Sequence, residues 1–411
     1  MNPLQLTLGI MTAVGGFVDI SELVFAAKAG SAFGFALIWV FAFSTIGIIV
    51  YSEMSGRVAA VAKQPVFNLM RHRLGLKLGL VTLAASLISN LITCSAEIGG
   101  LALILNYLTG ASYRLLAVAV TALLMVSIWV LPFKWIERTY GVLGLFMLVF
   151  ACATFAIHPP WDKIAGGFVP QVPAGLSTKE MLAFGYFVVA IISAVMFPYE
   201  VYFYSSGGIE EEWGPKELLT NRVTSIVGMG LGSLLAIALL VNSAILFGPA
   251  NVDPDIPGTA ALEAAIPFGR LGLLLALAGM FFAVAGAAIE TCLANAYSIA
   301  QFFGWRWGRH KKPWEAPRFT LTWIILFLAA LAIVLTGIDV MLLVEFAILF
   351  SILLLPLTYL PLMLLAGDKS YMGEHANGPV AKALGWTYFA VITAAALAAI
   401  PLYVLTSGGN G

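Results

Sequence analysis

Long apolar segments separated by short polar stretches run along the whole chain. A helix needs about 20 apolar residues to cross a bilayer. Eleven segments come near or exceed that length, at about 6–30, 32–56, 76–107, 113–131, 138–158, 180–207, 221–247, 269–302, 319–337, 340–365 and 382–406. Because lipid leaves only helices and closed barrels for a spanning backbone, and these runs are too long for barrel strands, we predict an all-α polytopic membrane protein with eleven helices.

The composition agrees with this fold class. Hydrophobic residues make up 61% of the 411 and charged residues 10%, whereas soluble domains carry roughly a quarter charged residues. The formal net charge is zero, which argues against a nucleic-acid partner. We therefore expect an integral protein of the bacterial inner membrane, in contact with the lipid bilayer, with no cofactor and no obligate protein partner.

Lysine and arginine positions predict the orientation in the membrane. With the N-terminus in the cytoplasm, all but five of the 21 basic residues fall on the cytoplasmic side. The five on the outside are Lys28, Arg114, Lys163, Lys179 and Arg270. Since cytoplasmic loops carry an excess of lysine and arginine, we predict a cytoplasmic N-terminus and an external C-terminus.

Two spans carry matching tetrapeptides that end in an acid. Asp-Ile-Ser-Glu occupies 19–22 in the first span, and Phe-Pro-Tyr-Glu occupies 197–200 in the sixth. The two spans lie five apart and run in opposite directions, as in the five-plus-five inverted repeat of LeuT-like (APC-superfamily) transporters. Within one transmembrane domain over 1–411, we predict a first repeat at 6–158. The second begins within 180–337 and continues to 365, and an extra helix follows at 382–406.

Inverted repeats of this kind interrupt the first helix of each half near mid-membrane. Pro198 indicates such a break in the sixth span, because it cannot donate to the carbonyl of Ala194 and its ring crowds that carbonyl. The first span has no proline at the matching place. Gly15 and Gly16 lie just upstream of its tetrapeptide, where they loosen the helix.

Four acids lie inside the apolar segments, with no basic residue or histidine near the middle of those segments: Asp19, Glu22, Glu97 and Glu200. A charged side chain at the centre of a membrane helix costs roughly 2.5–3.5 kcal/mol on insertion scales. We expect a mobile cation, a proton or a metal ion to supply the missing positive charge. Carboxylate and carbonyl oxygens favour hard divalent ions such as Mg²⁺, Mn²⁺ and Ca²⁺.

Further polar residues in or near the spans are more ambiguous. Glu345 is either a contact of the cation or an interfacial acid, and Glu290 is either a site residue or a protonated acid bonded between helices. Glu53 and Glu263 lie close to span ends, where long polar side chains usually reach the surface. Cys94 is either a soft ligand or a packed thiol.

The chain resembles the Nramp divalent-metal transporters over most of its length. That family has Asp-Pro-Gly-Asn in its first helix and Met-Pro-His-Asn in its sixth, at the positions of the two tetrapeptides here. The stretch 95–103 is similar to the family's third-helix segment, which makes Glu97 the candidate for a proton pathway. The resemblance also implies that Ala194 offers its backbone carbonyl to the metal.

Several positions depart from the family pattern. Glu22 and Glu200 replace both asparagines, and Tyr199 replaces the histidine. The methionine ligand falls on Phe197, although Met196 is adjacent and a one-residue shift would restore the sulfur. A site without a thioether and with more carboxylates favours hard ions.

The titratable positions of the family are also changed. Cys94 stands where the family has a third-helix aspartate, and the ninth span, 319–337, lacks the arginines of the family's proton exit route. These losses predict weak or absent proton coupling.

We therefore predict a secondary transporter that imports divalent cations such as Mg²⁺ or Mn²⁺ by alternating access. Its metal-binding residues would be Asp19, Glu22, Ala194, Glu200 and Glu345. The alternative is a proton- or Na⁺-coupled carrier of a small organic solute on the same scaffold. An enzyme is not expected, since the spans contain no Ser/His/Asp set and no histidine-rich site.

Overall fold

The structure, a computed structural model, describes residues 18–131, 133–308 and 311–409. These residues are almost entirely helical. The helices are α1 Ile20–Phe33, α2 Ile38–Ala62, α3 Val66–Thr109, α4 Tyr113–Val130, α5 Phe133–Gly144, α6 Leu148–Ala156, α7 Trp161–Gly167, α8 Thr178–Val195, α9 Pro198–Glu210, α10 Leu218–Leu246, α11 Pro257–Phe303, α12 Pro317–Leu335, α13 Val340–Gly367, α14 Lys369–Met372 and α15 Pro379–Thr406.

The helices confirm the predicted fold class. In the described part of the chain, ten helical stretches are long and apolar enough to cross a membrane. They correspond to the second to eleventh predicted spans. The first predicted span begins among residues 1–17, outside the described residues, and α1 is its remaining part.

Two spans are longer than predicted because each is joined to an additional helical segment at a glycine. In α3 the joint is Gly75, with φ of 79°, and in α11 it is Gly269, with φ of 61°. Glycine adopts positive φ without the penalty that a Cβ would bring. Pro267 adds to the second joint by removing a backbone donor. The helical segments before Gly75 and Gly269 therefore meet the predicted spans at kinks.

The sixth span is interrupted where Pro198 predicts it. α8 ends at Val195, and α9 begins at Pro198, the helix position at which proline is best tolerated. Between them Met196 (φ −123°, ψ 46°) and Phe197 (φ −62°, ψ 138°) are not helical. The break predicted for the sixth span is confirmed.

The first span also has extended backbone at its tetrapeptide. Asp19 has φ of −91° and ψ of 174°, and α1 begins at the next residue. Gly15 and Gly16, which were expected to loosen this helix, lie outside the described residues. Asp19 and Glu22 thus lie at the beginning of α1, as Glu200 lies in the first turn of α9.

Helix packing follows the pattern that an inverted repeat requires. α1, from the first span, packs on α10, from the seventh, and α9, from the sixth, packs on α2, from the second. Likewise α3 of the third span packs on α13 of the tenth, while α11 of the eighth packs on α5 and α6 of the fifth. Exchanging the two halves maps each pair onto the other, so α1 and α9 meet the repeat interface in equivalent ways.

Candidate metal site

Asp19 caps the N-terminus of α1. Its Oδ1 accepts a hydrogen bond from the backbone N–H of Glu22 at 2.8 Å. Asp19 and Glu22 are both buried, with 1% and 2% of their surfaces exposed. Oδ2 of Asp19 and Oε1 of Glu22 have no hydrogen-bond partner among the described residues. Each acid therefore keeps an oxygen that is free to bind a cation.

Glu200 occupies the corresponding place in the sixth span. It lies in the first turn of α9 and is buried, and its Oε2 has no partner within the described part of the chain. Just before the break, Ala194 lies in the last turn of α8. In a continuous helix its carbonyl would accept from residue 198, but Pro198 has no N–H. The break thus places a carbonyl oxygen and a carboxylate close together along the chain.

The starts of α1 and α9 bring the three carboxylates into one electrostatic neighbourhood. Asp19 and Glu22 interact electrostatically with each other, and both interact with Glu200. Over the described ranges, however, no group of three or more carboxylate, thiol or imidazole side chains is arranged to hold a metal ion. The acids are therefore neighbours in this conformation without forming a closed metal cage.

The thioether of Met196 lies against α2. A Cβ added to Gly47 of α2 would lie 3.0 Å from Sδ of Met196 and 2.9 Å from the ring of Tyr388 on α15. Phe197 is fully buried, with its ring centroid 5.6 Å from that of Tyr199. The sulfur of Met196 therefore packs between α2 and α15.

Tyrosines enclose the break in the sixth span. The hydroxyl of Tyr359, on α13, donates to the carbonyl of Met196 at 3.0 Å, and its ring stacks on Tyr51 at 4.0 Å. Tyr199 interacts electrostatically with Asp19 and Glu200. Sequence reasoning missed Tyr359. Its one signal was its place next to Thr358, between Pro356 and Pro361.

Glu97 lies on α3 beside the start of α1. It accepts a hydrogen bond from Thr291 Oγ1 of α11 at 3.2 Å and interacts electrostatically with Asp19 and Cys94. Close approach of α1 depends on Gly100, one turn further along α3, because a Cβ there would come within 1.7 Å of Cδ1 of Ile20. The structure therefore places the predicted proton-pathway residue next to the first tetrapeptide.

The structure does not bring Glu345 together with the other acids. Its Oε2 accepts from the hydroxyl of Tyr403 at 3.3 Å, and its carboxylate interacts electrostatically with Lys28. Lys28 in turn pairs with Asp253 at 3.4 Å. Gly408, close to the C-terminus, packs against the Glu345 carboxylate. In this conformation Glu345 thus belongs to a separate polar group that joins α1, α13 and the segment before α11.

The two acids expected to reach the surface behave differently. Glu53 pairs with Arg57 at 3.0 Å, one turn along α2. Glu263 is fully buried beside Asn242 of α10, and neither of its carboxylate oxygens has a hydrogen-bond partner among the residues that the structure describes. The prediction that Glu263 reaches the surface is wrong, because the segment before Gly269 folds against the bundle.

A helical membrane bundle with an interrupted sixth span, and with buried acids there and at the start of α1, is the architecture of a secondary transporter. The family described as "Natural resistance-associated macrophage protein-like", or Nramp, matches residues 9–401. The chain belongs to this family, and the resemblance seen in the two tetrapeptides is confirmed.

Curated relatives match almost the full length of the chain. The divalent metal cation transporter MntH of Ralstonia nicotianae is 28% identical over 408 residues, which cover 95% of this chain and 88% of the relative. The divalent metal cation transporter MntH 1 of Pseudomonas aeruginosa is also 28% identical, over 401 residues that cover 95% of this chain and 89% of the relative. These relatives are transporters, in agreement with the prediction that the chain is not an enzyme.

Solved structures confirm the fold. A mutant of the Eremococcus coleocola manganese transporter superposes with a TM-score of 0.76 at 19% identity, covering 99% of this chain and 87% of the other. MhsT in complex with L-phenylalanine gives a TM-score of 0.64 at 17% identity, covering 97% and 98%. At these identities the likeness shows a shared fold alone.

Proposed function

We propose that this protein imports divalent cations by alternating access, with hard ions such as Mg²⁺ and Mn²⁺ as substrates. The relatives named above are divalent metal cation transporters, and one structural neighbour is a manganese transporter. Family membership supports divalent-metal transport. The choice of ion rests on the residues of this chain.

The observation that carries the proposal is the set of buried carboxylate oxygens at the starts of α1 and α9. Asp19, Glu22 and Glu200 each have a carboxylate oxygen without a partner in the described part of the protein. Such oxygens are costly to bury unpaired, and a bound cation would satisfy all three. A modest movement of α1 against α9 would close them around the ion, together with the Ala194 carbonyl.

The ligand types favour hard ions. Among the described residues, Asp19, Glu22, Ala194 and Glu200 offer oxygens, whereas the Met196 thioether packs against Gly47. Oxygen ligands suit Mg²⁺, Ca²⁺ and Mn²⁺, whereas thioethers select softer metals. We therefore assign Mg²⁺ to the substrate range in addition to Mn²⁺.

Charge balance bears on proton coupling. Three carboxylates carry three negative charges, and a divalent ion neutralises two. Either one acid keeps a proton, as close like charges promote, or a second cation binds. With tyrosine at 199 and cysteine at 94 in place of the family's titratable residues, the proposal includes weak or absent proton coupling, and Glu97 is its candidate proton carrier.

Access to the site involves both membrane faces. We place the protein in the bacterial inner membrane with its N-terminus in the cytoplasm, as the lysine and arginine distribution favours. Glu345 enters the proposal as a contact on the outer route, where Lys28 and Tyr403 now hold it. Its role requires the outer end of α13 to move when the site opens.

Flux into proteoliposomes tests the function. Purified protein should take up Mn²⁺ and Mg²⁺ faster than protein-free vesicles do. Equal rates for both ions in the two preparations would contradict the proposal.

A carrier of an organic solute would share the fold, as MhsT with bound L-phenylalanine does. An anionic substrate group would then have to lie beside three carboxylates, which like-charge repulsion opposes. Thermal stabilisation separates the two functions: divalent ions should raise the melting temperature and small amines should not. The reverse pattern would favour the organic solute.

A further inference from the structure

A cleft at the end of the bundle lies apart from the metal site. It opens between the end of α13, the start of α15 and the first segment of α3, and encloses about 360 Å³. All its basic residues belong to the side that the sequence places in the cytoplasm. The cleft is lined by Arg73, Met363, Leu364, Gly367, Asp368, Lys369, Asn377, Lys382 and Trp386.

The cleft carries excess positive charge at its mouth. Its single acid, Asp368, pairs with Arg73 at 3.5 Å and accepts two hydrogen bonds from Ser370, at 2.9 Å from the backbone N–H and 2.7 Å from the hydroxyl. The bonds from the Ser370 hydroxyl and N–H hold the pKa of the Asp368 carboxyl below its usual value. Lys369 and Lys382 are exposed, and neither forms an ion pair within the described ranges. Two ammonium groups therefore face the cleft without a counter-ion.

Further from the mouth than the two lysines, the residues that line the cleft are apolar. Trp386 follows Lys382 by one turn of α15 and is 50% exposed. Leu364, 38% exposed, and Met363 belong to the last turns of α13. Basic groups at the mouth, an indole one turn deeper and aliphatic side chains beneath follow the polarity of a phospholipid from headgroup to acyl chain. Tryptophan is enriched at this depth of the bilayer.

We propose that this cleft binds an anionic phospholipid of the cytoplasmic leaflet, with its phosphate between Lys369, Lys382 and Arg73 and its acyl chains along Trp386 and Leu364. Basic pockets between membrane helices on the cytoplasmic side are known to hold acidic lipid headgroups. Free phosphate shares the headgroup chemistry. The apolar floor and the exposed indole favour the lipid, because free phosphate gains nothing from either.

Native mass spectrometry of the full chain in detergent tests the proposal, with phosphatidylglycerol, phosphatidylcholine and inorganic phosphate as probes. Wild-type protein should retain phosphatidylglycerol in preference to phosphatidylcholine. The double variant Lys369→Gln/Lys382→Gln should bind it roughly 30-fold more weakly, since each lysine near an anionic lipid contributes about 1 kcal/mol, a factor of about five. Lys369→Arg/Lys382→Arg should keep the binding.

The matched control is Lys77→Gln/Lys216→Gln, which removes two exposed lysines from the same side of the bundle but outside the cleft. It should bind phosphatidylglycerol like the wild type. Equal loss in the control, or equal retention of phosphatidylcholine, would overturn the proposal in favour of nonspecific annular lipid. Inorganic phosphate that displaces phosphatidylglycerol at equal concentration would overturn it in favour of a free anion.

Discussion

The backbone N–H of Glu22 donates to Oδ1 of Asp19 at 2.8 Å, and this bond links the start of α1 to the candidate metal site. A side-chain oxygen that accepts from the third residue of a helix is a standard N-cap. One carboxylate oxygen of Asp19 thus fixes the helix, and the other has no partner among the described residues. The structural and metal-binding roles of Asp19 therefore belong to different oxygens.

Asp19→Asn should separate these two roles. Asparagine caps helices about as well as aspartate, so the melting temperature of the purified protein should change little. Initial Mn²⁺ uptake should fall by at least about 100-fold, because losing one partner of a buried ion pair costs about 3–5 kcal/mol. Radiotracer uptake in proteoliposomes measures the effect.

The matched control for Asp19→Asn is Glu374→Gln, since the Glu374 side chain is 90% exposed. Its uptake should equal that of the wild type. If Asp19→Asn transports at the wild-type rate, Asp19 is a helix cap alone.

Met196→Leu should leave Mn²⁺ uptake within about twofold of wild type, because the two side chains have similar volumes and the sulfur packs against Gly47. Competition by Cd²⁺, a soft ion, should be equally weak against both proteins. Strongly reduced uptake, or Cd²⁺ competition that disappears in the variant, would mean that the thioether enters the site during transport.

Gly30→Ala should destabilise the contact between α1 and α10. A Cβ at Gly30 would lie 2.1 Å from the carbonyl oxygen of Leu240, and a backbone atom cannot move aside as a side chain can. Overpacking of this kind costs about 1–3 kcal/mol, seen as a lower melting temperature and poorer recovery of monodisperse protein.

Gly230→Ala, inside α10, is the control for Gly30→Ala. Its Cβ would meet no described atom within 4 Å, and alanine stabilises a helix interior by about 0.5–1 kcal/mol relative to glycine. Its melting temperature should be equal to or above that of the wild type. Equal losses in both variants would show that α1 and α10 are not packed as closely as described.

Membrane potential should drive uptake more effectively than a pH gradient. An inside-negative potential of 100 mV contributes about 2.3 kcal/mol per charge, so a divalent ion without protons responds strongly. Imposed potassium diffusion potentials should accelerate Mn²⁺ uptake, whereas a pH gradient alone should not. Acidification of the vesicle interior in step with Mn²⁺ uptake would contradict weak proton coupling.

The sequence predicts those features of the fold that depend on short segments. Spans follow from apolar runs, and the break in the sixth follows from the missing N–H of Pro198. The extended backbone at Asp19 follows from its likeness to the second tetrapeptide, although no proline marks it. The limits of the two repeats stay a prediction, which the exchange of packing partners supports.

Features that depend on distant contacts were not predictable in this way. Met196 and Phe197 are adjacent in sequence, and the sulfur of Met196 packs beside Gly47, which is far away in the chain. Glu263 has the sequence context of a surface acid, but the bend at Gly269 buries it. Glu345 accepts a hydrogen bond from Tyr403, a residue 58 positions away in the chain.

The central claim is that the paired glutamates Glu22 and Glu200 adapt the site to hard divalent ions. Calorimetric titration of Mg²⁺, Mn²⁺ and Ca²⁺ into the wild type and into Glu22→Asn/Glu200→Asn tests it most directly. We predict that the wild type binds both Mg²⁺ and Mn²⁺. The double variant should lose Mg²⁺ affinity by at least about tenfold and retain more of its Mn²⁺ affinity. The reason is that Mg²⁺ depends most on charged oxygen ligands. Equal Mg²⁺ affinity in the two proteins would contradict the claim.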